Sequence, residues 1–198
     1  MNKFTIADYA KIIGASMCMI PDETERRGWQ NPEEILSRTG LKEGDTFVDI
    51  GCGKGFFAIP AARIVGKNGK VFAIDANKAF LEELVRKASA EGLKNISVVN
   101  EAGETSVPCR GCADMAFFGI SLHDFDDAGK VLENAHAMLK GGGKVVDLDW
   151  KKEEAEKGPP YRIRFSEEHA IELLKDTGFR EIAATEEGRF HYRITAVK

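Results

Sequence analysis

The chain has 198 residues, of which 43% are hydrophobic and 30% are charged, and its formal net charge at pH 7 is −4. This is the composition of one globular domain. The sequence has no block of lysine and arginine, which argues against a large phosphate-binding surface. No apolar run approaches the roughly 20 residues of a membrane span, and the N-terminus lacks the pattern of a signal peptide. We therefore predict a cytoplasmic protein that binds neither nucleic acid nor membrane, and we predict no oligomeric state.

The chain divides into a short cap and a main domain. Residues 1–30 are predicted to form an N-terminal cap, irregular apart from a short helix at Ile6–Ile13, and residues 31–198 form the main domain. A helix begins after Asn31, whose side chain can accept hydrogen bonds from the free amides of a first turn. Gly40 is well placed to end that helix.

Beyond this helix, strand-like and helix-like segments alternate. Short connections between them require right-handed crossovers, which indicates a parallel sheet with helices on both faces. The predicted strands are Thr46–Ile50, Lys70–Asp75, Ile96–Asn100, Ala113–Phe118 and Lys144–Asp149, and the helices between them end near Val65, Gly92 and Leu139.

The C-terminal segment departs from this alternation. A helix from Ser166 to about Thr177 is followed by two strands, Phe179–Thr185 and Phe190–Val197. The four residues between these strands cannot hold a crossover helix, so the strands must be antiparallel. An ordinary dinucleotide-binding domain stays parallel at this point. The predicted fold is therefore α/β: a Rossmann-like, doubly wound, seven-stranded sheet, mostly parallel, with a C-terminal antiparallel hairpin.

The sharpest motif is the glycine-rich turn GCGKG at 51–55, between the first strand and its helix. Glycines permit the turn and a close ligand approach, and amides at the helix start can meet a carboxylate or phosphate. Asp75, which ends the second strand, is placed to accept both hydroxyls of a ribose. Asp49 would repel a pyrophosphate and favour a cationic amino group. The pattern favours a nucleoside with a cationic amino-acid tail; a turn without a ligand is the alternative.

At these residues the chain resembles the class I S-adenosylmethionine-dependent methyltransferases, over about Asn31–Lys198. The resemblance is strongest in VDIGCGKGFFAIPAA, VFAIDAN and LKGGGKVVDLDW. Within the class, the chain is most similar to the small-molecule group around ubiquinone and menaquinone methylation. This resemblance implies an enzyme that uses S-adenosylmethionine, releases S-adenosylhomocysteine, and methylates a nucleophilic atom of a small molecule by in-line displacement.

The resemblance also implies the positions that bind the cofactor. Residues around the glycine loop would hold its methionine part, Asp75 the ribose, and Ala76 would lie beside the adenine. The family often has Gly-Asp-Ala after the third strand, and Gly103-Glu104 is a looser match; no metal site is predicted. The implied cofactor-binding residues are Asp49, Gly51, Cys52, Gly53, Gly55, Asp75, Ala76, Gly103, Glu104, Phe118 and Gly119.

His123 is the candidate catalytic base, because it should lie at the carboxyl end of the fourth strand, near the methyl group. Packing beside the cofactor or capping the next helix is the alternative for this residue. Asp124 is predicted to cap that helix rather than to orient His123. Trp29, Trp150 and Tyr161 are candidates for an acceptor pocket, with core or lid packing as the alternative.

Three other functions stay open. An NAD-type oxidoreductase is opposed by the G-x-G-x-G spacing and the terminal hairpin, and a non-catalytic cofactor-binding module is opposed by the intact glycines and Asp75. Cys109 and Cys112 form a C-x-x-C motif before the fourth strand, and paired thiols can hold soft metalloids. Since arsenite methyltransferases use cysteines in this way, arsenite methylation is the minority hypothesis.

His191 is predicted to occupy a surface or strand position without a role.

Overall fold

The computed structural model describes residues 23–198, so the predicted helix at Ile6–Ile13 lies outside the described residues. The helices are α1 (Glu23–Arg27), α2 (Pro32–Thr39), α3 (Ala58–Val65), α4 (Lys78–Ala90), α5 (Ala128–Met138) and α6 (Glu167–Asp176). The strands are β1 (Thr46–Ile50), β2 (Lys70–Ile74), β3 (Ile96–Val99), β4 (Ala113–Gly119), β5 (Leu139–Trp150), β6 (Arg180–Glu187) and β7 (His191–Val197). Short 3₁₀ helices lie at Leu122–Asp124 and Tyr161–Ile163.

The seven strands form one sheet in the order β3-β2-β1-β4-β5-β7-β6. Strands β1 to β5 pair in parallel, whereas β7 is antiparallel to both β5 and β6. The predicted α/β sheet with a C-terminal antiparallel hairpin is confirmed. The strand order reverses between β1 and β4, and ligands of open α/β sheets bind outside the carboxyl ends of the strands at such a point.

The helix ends follow the predicted local signals. Asn31 Oδ1 accepts a hydrogen bond from Glu34 N at 3.2 Å, and Gly40 closes α2 with a φ of 83°. Asn77 Oδ1 accepts from Ala79 N at 3.0 Å at the start of α4. These caps satisfy backbone groups that the helices leave unpaired at their ends.

The start of the fifth strand was predicted wrongly. We expected the strand to begin at Lys144, after glycines 141–143. Instead, β5 begins at Leu139, which pairs with Ala113, and the next register pair joins Lys144 to Met115. The glycines therefore form a bulge inside the strand, because two segments on either side of them pair with the same neighbour.

Helix α1 corrects the prediction of an irregular cap. A helix of five residues is too short to be stable alone in water. Glu23 pairs with Lys87 Nζ of α4 at 2.7 Å, and Arg27 pairs with Glu33 of α2 at 2.9 Å. Contacts with distant segments thus hold this helix, and a local pattern could not show them.

Two apolar clusters cover the two faces of the sheet. Phe47 and Phe117 belong to one cluster, and Val48 and Phe118 belong to the other. Neighbouring residues of one strand thus pack on opposite faces, as in a sheet buried on both sides. This packing fixes the strand ends that carry the candidate site. Within residues 23–198, no helix is long and apolar enough to cross a membrane.

Candidate active site

The glycine loop after β1 folds back onto the end of β2. Four of its amides donate hydrogen bonds inside the loop or to β2. The pairs are Gly51 N and Cys52 N with Ile74 O (2.9 and 3.0 Å), Gly53 N with Asp75 Oδ2 (2.8 Å) and Gly55 N with Cys52 O (3.0 Å). These amides are already engaged, which corrects the expectation that the loop offers them to a ligand's carboxylate.

Close packing joins the glycine loop to the segment after β4. Gly51 has a φ of 76°, and a Cβ at this position would lie 2.6 Å from Ser121 Cβ. Ser121 Oγ donates a hydrogen bond to Ile50 O at 2.7 Å. The preceding Ile120 has a φ of 64°, which is rare for a β-branched residue and stores strain. The segment that carries His123 is therefore fastened against the glycine loop.

Asp75 lies half-buried at the end of β2. Its Oδ2 accepts from Gly53 N and its Oδ1 accepts from Asn77 N, both at 2.8 Å. Each carboxylate oxygen has a second lone pair, so both can still accept from a ribose hydroxyl. Asn100, which sequence reasoning missed, donates to the carbonyls of Asp75 and Ala76 at 3.1 and 3.0 Å. Asn100, at the end of β3, thereby fixes the backbone at the end of β2. Ala76 is exposed at this position.

Asp49 is buried, with 1% of its surface exposed, and its Oδ2 has no hydrogen-bond partner. Burial and then the charge of Asp75 raise the pKa of Asp49 to about 7, although Arg26 and the amide of Ala58 oppose the rise. An unpartnered buried carboxylate oxygen beside a ligand loop fits a cationic group of a ligand.

Arg26, from α1, is the nearby cation that sequence reasoning missed. Its Nε donates to Gln30 Oε1 at 2.7 Å, while its Nη2 is buried without a partner. Burial lowers the pKa of Arg26 to about 10, against the opposing effects of Asp49 and Glu23. Since neither Arg26 Nη2 nor Asp49 Oδ2 has a hydrogen-bond partner, the two atoms do not bond to each other.

The predicted adenine-side positions are held from α5. Asn134 Nδ2 donates to the carbonyls of Gly103 and Glu104 at 2.9 and 2.7 Å. Gly103 is buried, and a Cβ there would lie 2.8 Å from the ring of Phe125. This segment is therefore rigid, and Gly103 allows the close approach of Phe125.

Three further predicted positions present little side chain to a ligand. Phe118 is fully buried in the core, and Cys52 is 6% exposed. A Cβ at Gly119 would lie 2.5 Å from Phe57. Only backbone atoms of these residues are available to a ligand at this edge of the sheet.

His123 lies in the 3₁₀ helix after β4, with 2% of its side chain exposed. Its Nδ1 is 2.7 Å from Asp149 Oδ1, and its Nε2 is 3.3 Å from Asp124 Oδ1. Burial alone would lower the pKa of His123, but Asp149 and Asp124 raise it to about 9. The imidazole therefore carries two protons at neutral pH and lies between two carboxylates.

Asp124 is the solvent-facing member of this cluster, with 61% of its side chain exposed. The prediction that it caps the next helix was wrong, because Asp127 Oδ1 accepts from Lys130 N at 2.9 Å and caps α5. Asp124 is instead close enough to His123 to interact with it electrostatically.

Asp149 was not predicted as a site residue, although its D-x-D motif in an otherwise apolar strand was a usable signal. Its carboxylate is fully buried and also accepts from Trp150 N at 2.7 Å. Asp147, two residues earlier, has a pKa raised well above its ordinary value by burial and then by Asp149. Asp149, and not Asp147, is the carboxylate within hydrogen-bond distance of His123.

An aromatic cluster lies at the same edge of the sheet. The ring centroid of Trp29 is 5.5 Å from that of Trp150 and 5.4 Å from that of His191. Trp29 Nε1 and His191 Nε2 are buried without partners. His191 is a strand residue, as predicted, but it is buried, and burial with the charge of Arg26 lowers its pKa to about 3. Tyr161, the third predicted pocket residue, is 46% exposed.

Arg164, also missed from the sequence, organises the loop after β5. It is 4% exposed, and its guanidinium donates to the carbonyls of Pro159, Glu153 and Lys157 at 2.8–2.9 Å. The same group lies 5.4 Å from the ring of Trp150. One buried cation thus fixes the loop beside the aromatic cluster.

The cysteine pair lies at the other edge of the sheet. Cys109 and Cys112 form a disulfide just before the amino end of β4, whereas the glycine loop faces its carboxyl end. A strand of seven residues spans roughly 20 Å. This separation argues against a metalloid acceptor site at these cysteines.

Two surface cavities lie away from the glycine loop. One, of about 470 Å³, is lined by Glu153, Glu154, Ala155, Glu156, Arg189 and Phe190. The other, of about 210 Å³, is at the amino end of β4, near Asp114 and Lys140. Neither cavity includes the residues predicted to bind the cofactor.

The sheet topology and the glycine-loop site define a class I S-adenosylmethionine-dependent methyltransferase. The model of the ubiE/COQ5 methyltransferase family matches residues 18–183, and the chain belongs to this family. The match begins inside the predicted cap. The predicted methyltransferase activity and the predicted cofactor, S-adenosylmethionine, are confirmed.

Individual relatives agree with this assignment. A 2-phytyl-1,4-naphtoquinone methyltransferase of Nostoc sp. is 29% identical, over 79% of this chain and 68% of the relative. A demethylmenaquinone methyltransferase of Geobacillus kaustophilus is 29% identical, over 63% of this chain and 53% of the relative. The crystal structure of an S-adenosylmethionine-dependent methyltransferase from Aquifex aeolicus has a TM-score of 0.84 and 30% identity, covering 98% of this chain and 99% of that one. The alternative functions, including arsenite methylation, are not favoured.

Proposed function

We propose that the enzyme methylates a ring carbon of a small aromatic acceptor of the hydroquinone class. The names of the Nostoc and Geobacillus relatives support a quinone-derived acceptor. When bound, the cofactor supplies a methyl group on a sulfonium, which is an electrophile with a good leaving group. A quinone ring is electron-poor, whereas its two-electron-reduced form is electron-rich. The reduced form is therefore the nucleophile in this proposal.

The contact between Gly51 and Ser121 is the observation that supports the proposed position of the reaction. It fastens the loop proposed to hold the cofactor against the segment that bears His123 and Asp124. In this proposal Asp75 binds the ribose and Ala76 lies beside the adenine. The glycine loop, Gly103-Glu104 and the backbone at Phe118-Gly119 line the remainder of the cofactor site.

Proton removal is assigned to the cluster around His123. The ring of His123 is buried and both its nitrogens face carboxylates, so the exposed Asp124 is the group that meets the acceptor. Burial and Asp149 raise the pKa of Asp124, against the charge of His123. As the carbon–methyl bond forms, the methyl–sulfur bond breaks with its electrons remaining on sulfur, and the ring proton passes to Asp124. His123, fixed by Asp149, positions this carboxylate and balances its charge.

The acceptor pocket is assigned to the aromatic cluster. The rings of Trp29 and Trp150 offer flat apolar surface to an aromatic acceptor. Trp29 Nε1 and Gln30 Nε2 are buried donors without partners, which suits the oxygens of a hydroquinone. Gly158, where a Cβ would lie 2.8 Å from Trp150, brings the loop after β5 against this surface.

An anaerobic assay tests the acceptor. The enzyme, S-adenosylmethionine and dithionite-reduced 2-phytyl-1,4-naphthoquinone are incubated, and mass spectrometry should detect the product with one added methyl group. The unreduced quinone should give none. Methylation of the oxidised form, or methylation of an unrelated acceptor such as a purified nucleic acid in preference to the hydroquinone, would contradict the proposal.

A second assay tests the proton acceptor. Asp124→Asn should lower kcat by about 100-fold or more, since general-base help is worth roughly 10²–10⁴-fold. Its affinity for S-adenosylhomocysteine should stay within about twofold of wild type. Asp126→Asn, an exposed change two residues away, is the matched control and should leave kcat unchanged. Equal rates for both variants would remove Asp124 from the mechanism.

A cytoplasmic location and the absence of nucleic-acid binding remain part of this proposal. The net charge of −4, without a basic block, supports the absence of nucleic-acid binding. Cell fractionation and a gel-shift assay with DNA and RNA test them, and retention of the protein by nucleic acid at physiological salt would contradict the second.

A further inference from the structure

We propose that Arg26, from the N-terminal helix α1, binds the carboxylate of the cofactor's methionine tail, opposite Asp49, which binds its ammonium group. This inference rests on the proposed cofactor site. It extends that site to a residue of the predicted cap, outside every motif in the sequence.

The first step concerns donors for a carboxylate. The amides of Gly51, Cys52, Gly53 and Gly55 are engaged within the loop and with β2. Lys54, the lysine of the loop, pairs with Glu83 at 3.1 Å. Among the residues that the structure describes, Arg26 is the one arginine or lysine with a buried nitrogen that lacks a partner. It is therefore the cation available for this carboxylate.

The second step concerns where Arg26 lies. Its guanidinium carbon is 3.9 Å from the centroid of the Phe56 ring and 5.4 Å from that of Phe57. These two residues directly follow Gly55, so the guanidinium lies over the end of the glycine loop. The bond from its Nε to Gln30 fixes the plane of the group. One edge of the guanidinium is thus held by the protein, and Nη2 is left for a ligand.

The third step concerns charge. Asp49 Oδ2 and Arg26 Nη2 are both buried and are not bonded to each other, and the ionised form of Asp49 has the charge opposite to that of Arg26. The charge of Arg26 also opposes the rise in the pKa of Asp49, which shows that the two groups lie close enough to interact. A buried charged group without a partner is unfavourable. An amino-acid tail carries one ammonium and one carboxylate, so a single ligand satisfies both.

The fourth step concerns preorganisation. Ion pairs hold α1 on different sides of Arg26. Glu23 bonds to Lys87 of α4 at 2.7 Å, and Glu25 pairs with Lys157 of the loop after β5 at 3.2 Å. These ion pairs fix the position of helix α1 and therefore of Arg26. Recognition of the carboxylate thus depends on this helix of the N-terminal cap.

Calorimetric titration with three ligands tests this inference. S-adenosylmethionine carries both charges, decarboxylated S-adenosylmethionine lacks the carboxylate, and 5′-methylthioadenosine lacks the whole tail. Arg26→Met should weaken binding of S-adenosylmethionine by at least about 30-fold, since losing one partner of a buried charged pair costs 2–5 kcal/mol or more. Binding of the other two ligands should change by less than about threefold.

Two substitutions serve as controls. Arg86→Met removes an exposed arginine of α4, away from α1, and should leave all three affinities unchanged. Asp49→Asn should weaken both ligands that carry the ammonium and spare 5′-methylthioadenosine. Arg26→Lys, which keeps the charge, should recover part of the lost affinity. A thermal melt by circular dichroism verifies that each variant is folded.

The outcomes separate the two levels of the proposal. If wild-type enzyme binds no S-adenosylmethionine or S-adenosylhomocysteine, the cofactor site itself is wrong. If wild type binds S-adenosylmethionine and its decarboxylated form equally, or if Arg26→Met weakens all three ligands alike, the role of Arg26 is overturned and the cofactor site stands. If Arg26→Met fails to fold, Arg26→Lys tests the residue, and equal binding of the two ligands by wild type would still overturn the proposal.

Discussion

The two halves of the candidate site are built differently. On the cofactor side, the residues from Asp49 to Gly55 are contiguous, and the carboxylate of Asp75 joins them by accepting a hydrogen bond from Gly53 N at 2.8 Å. On the acceptor side, His123 meets an aspartate 26 residues away, and Trp29 meets Trp150 from the opposite end of the chain. The first half is a local motif, whereas the second exists only once the sheet has formed.

A pair of buried aspartates makes the contrast specific. Asp149 accepts hydrogen bonds from both His123 and Trp150 N, so the protein satisfies its charge. Asp49 keeps one oxygen without a partner, and its pKa is raised to about 7 by burial and by Asp75. The Asp149–His123 pair is thus electrostatically complete in the protein alone, whereas Asp49 becomes complete with its ligand.

The largest effect is expected on the cofactor side, from Asp75→Asn. The change removes the negative charge that accepts from a ribose, and hydrogen bonds to a charged group contribute about 1.5–3 kcal/mol each. Affinity for S-adenosylhomocysteine should fall by about 100-fold or more in calorimetry. Asp126→Asn, a change of an exposed aspartate after β4, is the control. Affinity retained in Asp75→Asn would show that this carboxylate does not bind the ribose.

The second prediction concerns the acceptor side and the dependence of the folding stability on pH through His123. The folded pKa of His123, about 9, lies above its ordinary value of 6.5. The folded state therefore binds the extra proton more tightly, and stability is fully present below about pH 6.5 and lost as pH rises through 9. The loss should be roughly 3 kcal/mol, since each pKa unit corresponds to about 1.4 kcal/mol.

Urea unfolding between pH 6 and pH 10 measures this loss. His123→Gln should abolish the dependence, while His169→Gln, an exposed change in α6, should keep it. An unchanged slope in His123→Gln would mean that the pair with Asp149 does not stabilise the fold.

The third prediction concerns Asp49, whose charged form is expected to destabilise the folded state, whereas the charged form of His123 stabilises it. The folded pKa of Asp49, about 7, lies above its ordinary value of 3.8. Between these pH values the folded state binds more protons than the unfolded state, so stability falls as pH rises from about 4 to 7. Asp49→Asn should therefore be more stable than wild type at pH 8, by roughly 2 kcal/mol, because its buried amide is itself incompletely bonded. Near pH 4 the order should reverse, with wild type the more stable by roughly 2 kcal/mol, because about three pKa units correspond to roughly 4 kcal/mol of pH dependence. A wild type that is more stable at pH 8 would contradict the prediction.

The same contrast explains how far the sequence led. Strand alternation and the short C-terminal connection were enough to predict the sheet. The glycine loop with Asp49 and Asp75 favoured a nucleoside with a cationic amino-acid tail, and the family resemblance implied S-adenosylmethionine. Arg26 carries no local signal, because its helix is held by Lys87 and other distant partners. Asp149 was visible only as a polar residue in an apolar strand. Its pairing with His123 depends on the neighbouring positions of β4 and β5, which the topology determines.

The smallest effect is expected from the cysteines. A double substitution, Cys109→Ser with Cys112→Ser, changes two side chains at the amino end of β4 and should leave the affinity for S-adenosylhomocysteine within about twofold of wild type. Gly51→Ala adds one methyl group, but at a position with positive φ and 2.6 Å from Ser121 Cβ, so it should weaken binding and lower the melting temperature.

Calorimetry and thermal melts of both variants compare the two edges of the sheet directly. A cysteine variant that loses cofactor affinity, or a Gly51→Ala enzyme that binds normally, would mean that the edge of the sheet does not determine which changes matter. If the cysteine variant binds normally and Gly51→Ala does not, the functional edge is the one where β1 and β4 end, because a single methyl group there outweighs two changed side chains a strand's length away.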